Sequence, residues 1–328
     1  MKNIKWILVV TLASCTVATE YEAEKALPKA NHSLSSGQTH NKFSRTIKPV
    51  LKINAGEVVD ISTEEATDGQ LKLGSDTSDL MKLSFDPIHP LTGPIYVNDA
   101  QPGDVLAVTL HKVEMGDWGW TAILPGFGFL ADEYTDPYLR TWELAGKNTL
   151  KFSDDITIPL RPFPGVLGVA PDTDSLLSTI PPRANGGNMD DPNIVEGTTV
   201  YLPVFVEGAL FSIGDAHAAQ GLGEVCGTAI EAPMRFLVEI NLLKGSSIQE
   251  PQYENDDVYA VTAFATTIDE AAKKATRYMI EYLTKNYGLS GNDAYMLCSL
   301  AGDLKIAEVV DVPHMLVTMS INKNVLSK

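Results

Sequence analysis

Two glycine-rich segments in the middle of the chain hold most of the side chains that could do chemistry. Residues 185–191 read NGGNMDD, and residues 214–224 read GDAHAAQGLGE. Glycine allows the backbone to approach a ligand closely, and an imidazole combined with carboxylates suits a divalent cation that keeps a position open for water. From these residues alone, a metal site and a polar turn whose side chains only hydrogen-bond to the backbone remain equally open.

The composition of the chain limits the partners that it can have. The 328 residues include 25 Lys and Arg against 42 Asp and Glu, so the net charge is −17, and 44% of the residues are hydrophobic. This balance is that of a globular protein rather than a disordered one. Recognition of phosphates requires a basic surface, so the acidic balance indicates that nucleic acid is not a partner.

The first fifteen residues, MKNIKWILVVTLASC, have the pattern of an export signal. Lys2 and Lys5 precede an apolar run over 6–13 that is too short to span a bilayer. The following Leu-Ala-Ser-Cys resembles the lipobox of bacterial lipoproteins, in which the cysteine thiol receives the lipid; an ordinary signal peptide with a chance cysteine is the alternative. We therefore predict a signal peptide over 1–14 and lipid attachment at Cys15. The protein would then lie on the periplasmic or extracytoplasmic face of a bacterial cell envelope and contact the membrane through its lipid only.

The remaining chain divides into a polar start, a long strand-rich part and a helical end. Residues 15–45 are polar without periodicity and predict a flexible tether. Residues 46–252 contain short runs rich in Val, Ile, Thr and Phe that turn residues separate, which is typical of strands. The runs are 48–53, 57–61, 104–113, 149–160, 199–205, 210–213, 224–231 and 235–243. No helical period separates them, so we predict a mainly β fold with sandwich- or barrel-like sheets and a catalytic region over 46–252.

The C-terminal residues 253–328 predict an α+β portion that packs on the β-rich region. Thr267 and Glu270 form a capping-box pattern, apolar residues recur at helical spacing, and Gly288 is a suitable end. A second helix is expected from Ser290, followed by strands over 305–310 and 315–319. Cys226 and Cys298 are the cysteines left after Cys15, and nothing in their spacing requires a disulfide.

Several short motifs follow one another in order along the chain. The sequence has HPLTGPIYV at 89–97, QPGD at 101–104, DWGW at 117–120, PGFG at 125–128, PFPG at 162–165 and GGNMD at 186–190. A block over 214–231 then combines GD, His217, QG, Glu224 and GTAIE. In these motifs, over about residues 47–320, the chain resembles the acetamidase/formamidase family.

The resemblance implies an enzyme that hydrolyses the C–N bond of a small linear amide, such as formamide or acetamide, to a carboxylate and ammonia. It also implies a bound divalent metal ion, for which zinc is the first choice and calcium or another divalent ion the alternative. Carried over residue by residue, it implies Asp190, His217 and Glu224 as the metal ligands. Asp215 would orient the imidazole of His217, because a metal-bound imidazole usually donates its other N–H to a carboxylate or carbonyl.

The same resemblance implies the catalytic and pocket residues. Glu224 or Glu231 would move the proton between water and the leaving amine, and Asn188 and Gln220 would orient water or the substrate amide. The pocket walls would come from Phe127 and Gly128 of the 125–128 loop, together with Trp118 or Trp120. Which carboxylate binds the ion and which one moves the proton stays open.

Leu222 departs from the family pattern, which often has Asp at this position. The loss of this polar group favours an alternative, in which the protein is a non-catalytic ligand-binding or structural envelope lipoprotein on the same fold. The resemblance also makes a homodimer or a larger homo-oligomer an expectation.

Overall fold

Strands predominate over helices in this chain, and the two long helices lie near its end. The structure is a computed structural model, and it describes residues 26–326. The strands are β1 His32–Leu34, β2 Thr39–His40, β3 Lys42–Phe43, β4 Leu51–Ile53, β5 Glu57–Thr63, β6 Leu91–Val97, β7 Val105–Met115, β8 Trp118–Ile123, β9 Tyr138–Glu143, β10 Thr149–Lys151, β11 Thr157–Pro159, β12 Phe163–Gly168, β13 Leu177–Ser178, β14 Gly186–Asn188, β15 Thr199–Pro203, β16 Phe211–His217, β17 Met234–Leu243, β18 Gln252–Glu254, β19 Val258–Ala265, β20 Gly302–Glu308 and β21 Met315–Asn322. The helices are α1 Thr77–Leu80, α2 Ile268–Tyr287 and α3 Gly291–Ala301.

Two large sheets contain most of these strands. The nine-stranded sheet has the order β1-β5-β17-β7-β15-β18-β19-β21-β20, and the six-stranded sheet has the order β14-β12-β16-β6-β2, with β4 paired to β6. Neighbouring strands are antiparallel except for β1 on β5 and β4 on β6. This architecture confirms the predicted fold class, mainly β with a C-terminal α+β portion.

One apolar core joins the two sheets. Its fully buried members include Ile61, Leu110 and Phe236 from the nine-stranded sheet, and Ile95 and Ile213 from the six-stranded sheet. Alternate residues of a strand point to opposite faces of a sheet, so each strand contributes every second side chain to this core. The six-stranded sheet is thereby held in place, and β12, β14 and β16 of this sheet position the two glycine-rich segments.

The two predicted helices form where their capping residues indicate. The Thr267 hydroxyl accepts from the backbone N–H of Glu270 at the start of α2, and Gly288 ends the helix with φ 68°. The Glu270 carboxylate accepts from the hydroxyl of Thr266. Ser290 begins α3 in the same way by accepting from the backbone N–H of Asp293. One face of α2 packs on β19 and β21 and forms a second apolar core.

The predicted tether is wrong for residues 26–45. This part contains β1, β2 and β3, and His40 of β2 contacts the hydroxyl of Ser212 at 2.8 Å. These strands are two or three residues long, so they show no periodicity in the sequence. Pairing with distant strands, β5 for β1 and β6 for β2, is what forms them.

Two further boundaries differ from the prediction. The predicted boundary at 252/253 falls within β18, and the nine-stranded sheet continues across it. The predicted strand over 224–231 is a series of turns, because Gly223, Glu224 and Gly227 have positive φ angles of 97°, 46° and 90° that an extended strand does not accommodate.

The predicted signal peptide and Cys15 lie outside the described residues. Within residues 26–326, none of the helices combines the length and the apolar character that crossing a membrane requires.

Candidate active site

The two glycine-rich segments meet over strand β12. This strand pairs on one side with β14, where Leu167 lies opposite Gly187, and on the other side with β16, where Phe163 lies opposite His217. Asp190 follows β14, and the backbone N–H groups of Met189 and Asp190 both donate to the carbonyl of Gly165. Because β12 lies between them, the side chains of Asp190 and His217 converge above Gly165.

Gly165 leaves the space that these two side chains occupy. A Cβ atom at this position would lie 2.5 Å from Oδ1 of Asp190, 2.7 Å from Cε1 of His217 and 2.6 Å from the carbonyl oxygen of Asp215. All three distances are shorter than a van der Waals contact, so only glycine fits.

Carboxylates surround the imidazole of His217 on both of its nitrogen atoms. Nδ1 lies 3.6 Å from Oδ1 of Asp190, and Nε2 lies 3.1 Å from Oε2 of Glu231 and 3.9 Å from Oδ1 of Asp215. Two trios could hold a metal ion, since their ligand atoms lie within 4.8 Å of one another. They are Asp190, His217 and Glu224, and Asp215, His217 and Glu231. The structure therefore brings together the three predicted ligands, and it adds Asp215 and Glu231.

Gln220 and Asn188 hold other members of the site. Oε1 of Gln220 lies 2.8 Å from Nδ1 of His217, and its Nε2 donates to the backbone carbonyl of Asp190. Gln220 thus connects the two segments, and it positions His217 rather than facing the substrate as predicted. Nδ2 of Asn188 donates to Asp311 at 2.7 Å, and its Oδ1 has no hydrogen-bond partner among the described residues.

Three of the clustered carboxylate residues have strained backbones. Asp190, Asp215 and Glu224 have φ angles of 40°, 45° and 46°, in the left-handed region that residues with side chains seldom adopt. Such conformations cost about 1–3 kcal/mol each and gather at functional sites. The three carboxylates are therefore held by the surrounding structure against the preference of their own backbones.

Two carboxylates of the site come from the C-terminal part and were missed in the sequence. Strand β20 ends beside the 214–224 segment, where the N–H of Gly223 donates to the carbonyl of Ala307. Glu308 is fully buried at this end, and Asp311 lies in the loop that follows. The sequence feature that indicates them is the run AEVVDVP at 307–313, in which two carboxylates stand among apolar residues. His89 also joins the site, and its Nδ1 lies 3.5 Å from Oδ2 of Asp215. In the sequence it is the first residue of the HPLTGPIYV motif, which by itself indicates no site role.

Burial shifts the pKa values of these carboxyl groups upwards. Removal from water raises the pKa of Asp190 to about 7, that of Asp215 to about 6 and that of Glu308 to about 8. For the same reason the pKa of Glu224 lies well above its usual range, and nearby carboxylates raise it further. Several of these carboxyl groups can therefore bind or release a proton near neutral pH.

The carboxylates around His217 determine the direction in which the pKa of its imidazole shifts. Burial alone lowers the pKa of His217, but the charge of Glu231, followed by those of Asp190 and Asp215, outweighs burial and raises the pKa to about 10. Burial lowers the pKa of His89, where the single nearby carboxylate of Asp215 does not compensate.

A cavity of about 110 Å³ contains the cluster, and Trp120 and Phe127 form part of its wall. Trp118, also predicted as a wall residue, does not line this cavity and packs against an apolar cluster that includes Trp120. Trp118 pairs with Glu143 at the start of β8, and Trp120 lies two residues further along the strand, next to Glu231. Gly128 lines a neighbouring cavity of about 260 Å³ instead.

Leu222 and the two described cysteines lie apart from the cluster. Leu222 is 48% exposed and lines a separate cavity, whose lining also includes Gln220 and Glu224. Cys226 and Cys298 are free thiols. The residue that favoured a non-catalytic protein therefore lies outside the cavity that contains the cluster, and it shares a second cavity with two residues of the site.

Comparison with known proteins identifies the family of the chain. The sequence profile of the Acetamidase/Formamidase family matches residues 28–178 and 173–328. Acetamidase from Mycolicibacterium smegmatis is 28% identical over 344 residues, covering 79% of this chain and 84% of that protein. Formamidase from Methylophilus methylotrophus is 25% identical over 363 residues, covering 87% of this chain and 88% of that protein. The crystal structure of acetamidase from Bacillus halodurans has a TM-score of 0.85 and 31% identity, with 90% of this chain and 98% of that chain covered.

The fold, the buried cluster and these relatives together define a hydrolase that acts on linear amides. The chain belongs to the Acetamidase/Formamidase family.

Proposed function

We propose that this protein is a metal-dependent amidohydrolase that cleaves a small aliphatic amide, such as formamide or acetamide, to the carboxylate and ammonia. The observation that carries the proposal is the buried cluster around His217, in which two trios of ligand atoms each lie within 4.8 Å of one another. The names of the relatives, acetamidase and formamidase, support the substrate class.

The residues of the cluster fit a divalent cation. Neither carboxylate oxygen of Asp190 has a hydrogen-bond partner among the described residues, and the same holds for Oδ1 of Asp215 and Oε1 of Glu308. Buried carboxylates are costly unless a cation or a proton neutralises them. One imidazole with two carboxylates supplies three ligands of the kinds that zinc takes, which leaves a fourth position for water, whereas calcium takes roughly six to eight oxygen ligands. We therefore favour zinc.

The hydrogen bond that Gln220 accepts from His217 favours one of the two trios. Its amide oxygen can only accept, so the proton in this hydrogen bond belongs to Nδ1 of His217. Nε2 is then the nitrogen that can bind an ion, and it faces Asp215 and Glu231. The trio predicted from the sequence, with Asp190 on the Nδ1 side, requires Gln220 to release the imidazole.

The chemistry follows from what each group can do in this environment. Held by the carboxylates and His217, a divalent cation would lower the pKa of water and polarise the amide carbonyl. Glu224, whose pKa is raised by burial, accepts the proton from water and returns it to the leaving amine. Asn188, whose Oδ1 has no partner, accepts a hydrogen bond from the N–H₂ group of the substrate. The apolar wall of the cavity keeps bulk water away from these groups.

Metal content of two single variants tests which trio binds the ion. We expect Glu231→Gln to purify with little zinc, and Asp190→Asn to keep its zinc while releasing ammonia more slowly. The exposed Glu143→Gln, which makes the same chemical change away from the cavity, serves as the control. If Asp190→Asn loses zinc and Glu231→Gln keeps it, the trio predicted from the sequence is the binding site. If both variants keep zinc, neither trio binds it.

We also propose that the protein is anchored to the bacterial envelope through lipid on Cys15. The basic start, the short apolar run and the Leu-Ala-Ser-Cys sequence support this location. The wild type is then expected in the membrane fraction, with an acylated N-terminal cysteine in its mass spectrum, and Cys15→Ser is expected to leave that fraction. Homo-oligomers remain a prediction, which light scattering of the purified protein tests.

A further inference from the structure

The cavity that contains the cluster has two chemically different ends. One end carries the carboxylates, the imidazoles and Asn188, while the other is apolar. The apolar end is lined by Leu83, Phe85, Ile88, Leu124, Phe127 and Ile180. These six side chains come from three separate loops, so the apolar end is not the by-product of a single hydrophobic segment.

The cavity is larger than acetamide requires. One water-sized site takes about 10–15 Å³, so the volume of about 110 Å³ holds roughly seven to eleven non-hydrogen atoms. Acetamide has four such atoms, and the attacking water and a cation add two. Between roughly one and five further atoms therefore fit, and they lie against the apolar wall, where polar groups would lose their hydrogen bonds to water.

On the basis of the proposed amide hydrolysis, we propose that the preferred substrates are amides whose acyl group is apolar and longer than acetyl, and that Phe127 limits the length of that group. The amide end of the substrate lies at the carboxylate cluster, and the hydrocarbon lies against Leu83, Ile88 and Leu124.

Phe127 separates this cavity from a second one. The neighbouring cavity of about 260 Å³ is lined by Ile123, Leu130, Tyr134 and Val225, and Phe127 lines both cavities. The ring lies directly on the backbone of Gly227, because a Cβ atom there would lie 2.4 Å from Cδ1 of Phe127. Because the ring cannot move towards Gly227, it stays between the two cavities. It therefore closes the apolar end of the cavity that contains the cluster. In the wild type, a longer acyl chain must turn to the solvent past Phe85, which is 58% exposed.

The burial of hydrocarbon sets the size of the expected effect. Each buried methylene contributes about 0.8 kcal/mol, which corresponds to about a fourfold increase in kcat/KM. The wild type should therefore gain about fourfold per carbon added to the acyl group of acetamide, beginning with propionamide. The gain should stop between about three and seven acyl carbons, when the cavity is full.

The experiment measures ammonia release and calorimetric binding for straight-chain amides from formamide to octanamide. Phe127→Ala opens the way into the second cavity, and Phe127→Leu shortens the wall while keeping the site apolar. Phe129→Ala is the matched control, since Phe129 lies two residues further along the same loop, is 55% exposed and lines neither cavity. Both Phe127 variants should continue to gain with chain length beyond the wild-type limit. The kcat/KM ratio of octanamide to butyramide should rise by about tenfold or more in Phe127→Ala, and Phe129→Ala should keep the wild-type profile.

Each outcome separates this inference from the function on which it rests. If formamide or acetamide is the best substrate and longer amides are progressively worse, the apolar acyl site is refuted while amide hydrolysis stands. If both Phe127 variants follow the same chain-length profile as Phe129→Ala, Phe127 does not limit length. If no amide is hydrolysed but binding still strengthens about fourfold per methylene, hydrolysis fails and the acyl site stands.

Discussion

Gly165→Ala is the smallest change that should disable the site. The added Cβ would lie 2.5 Å from Oδ1 of Asp190, 2.6 Å from the carbonyl oxygen of Asp215 and 2.7 Å from Cε1 of His217. Ordinary contact begins near 3.4 Å, so the three atoms would be about 0.7–0.9 Å too close and the two side chains would have to move apart. A misplacement of about 1 Å in a catalytic site costs about 100-fold in rate, and overpacking of a buried site costs about 1–3 kcal/mol of stability.

The assay is the initial rate of ammonia release, measured together with the unfolding temperature and the zinc content. We expect kcat/KM to fall by about 100-fold and zinc binding to weaken, with a loss of about 1–3 kcal/mol in the free energy of unfolding. Gly221→Ala is the control, because its Cβ would meet no atom within 4 Å. If Gly165→Ala keeps more than about a third of the wild-type rate, a displacement of this size does not matter and the argument from geometry is refuted.

Three further predictions concern His217, Asp190 and their neighbours. Gln220→Ala should weaken zinc binding by about 10–100-fold, because His217 loses the hydrogen bond that orients it. Competition with a coloured chelator measures the zinc affinity, and an unchanged affinity would contradict this prediction. In zinc-free protein, Glu231→Gln should lower the pKa of His217, because Glu231 contributes most to raising that pKa. NMR titration of the histidines measures the pKa of His217, and a value still near 10 would refute this prediction. The zinc-free protein should also unfold at progressively lower temperature from pH 5 to pH 9. The folded pKa of Asp190, about 7, exceeds its usual 3.8, so its stabilising proton is lost as the pH rises. The folded pKa of His217, about 10, exceeds 6.5, so its contribution is complete below pH 6.5 and is lost towards pH 10. An unfolding temperature that rises over this range would contradict both assignments.

Local sequence signals were sufficient for the helices and for grouping Asp190, His217 and Glu224 as candidate site residues. Thr267, Gly288 and Ser290 cap helices α2 and α3 through contacts within a few residues, so their role can be read from spacing. Asp190 and His217 are adjacent in space because both segments border β12, and their motifs grouped them as candidate site residues before the sheet was known.

Contacts between distant parts of the chain were not predictable in the same way. Glu308 and Asp311 join the site because β20 ends beside Gly223, more than eighty residues earlier, and no spacing rule connects them. The short strand β2 depends on pairing with β6, and its His40 is held by Ser212, 172 residues away. Trp118 and Trp120 share one motif, and only the position of Glu231 beside Trp120 distinguishes them.

The most direct test of the central claim is ammonia release by one preparation before chelation, after removal of the metal and after addition of zinc. We expect the preparation to release ammonia from at least one amide between formamide and octanamide. Chelation should abolish the release, and zinc should restore it. Metal-dependent amide hydrolysis is contradicted if the chelated and the zinc-loaded protein work at the same rate, or if neither preparation hydrolyses any amide of the series.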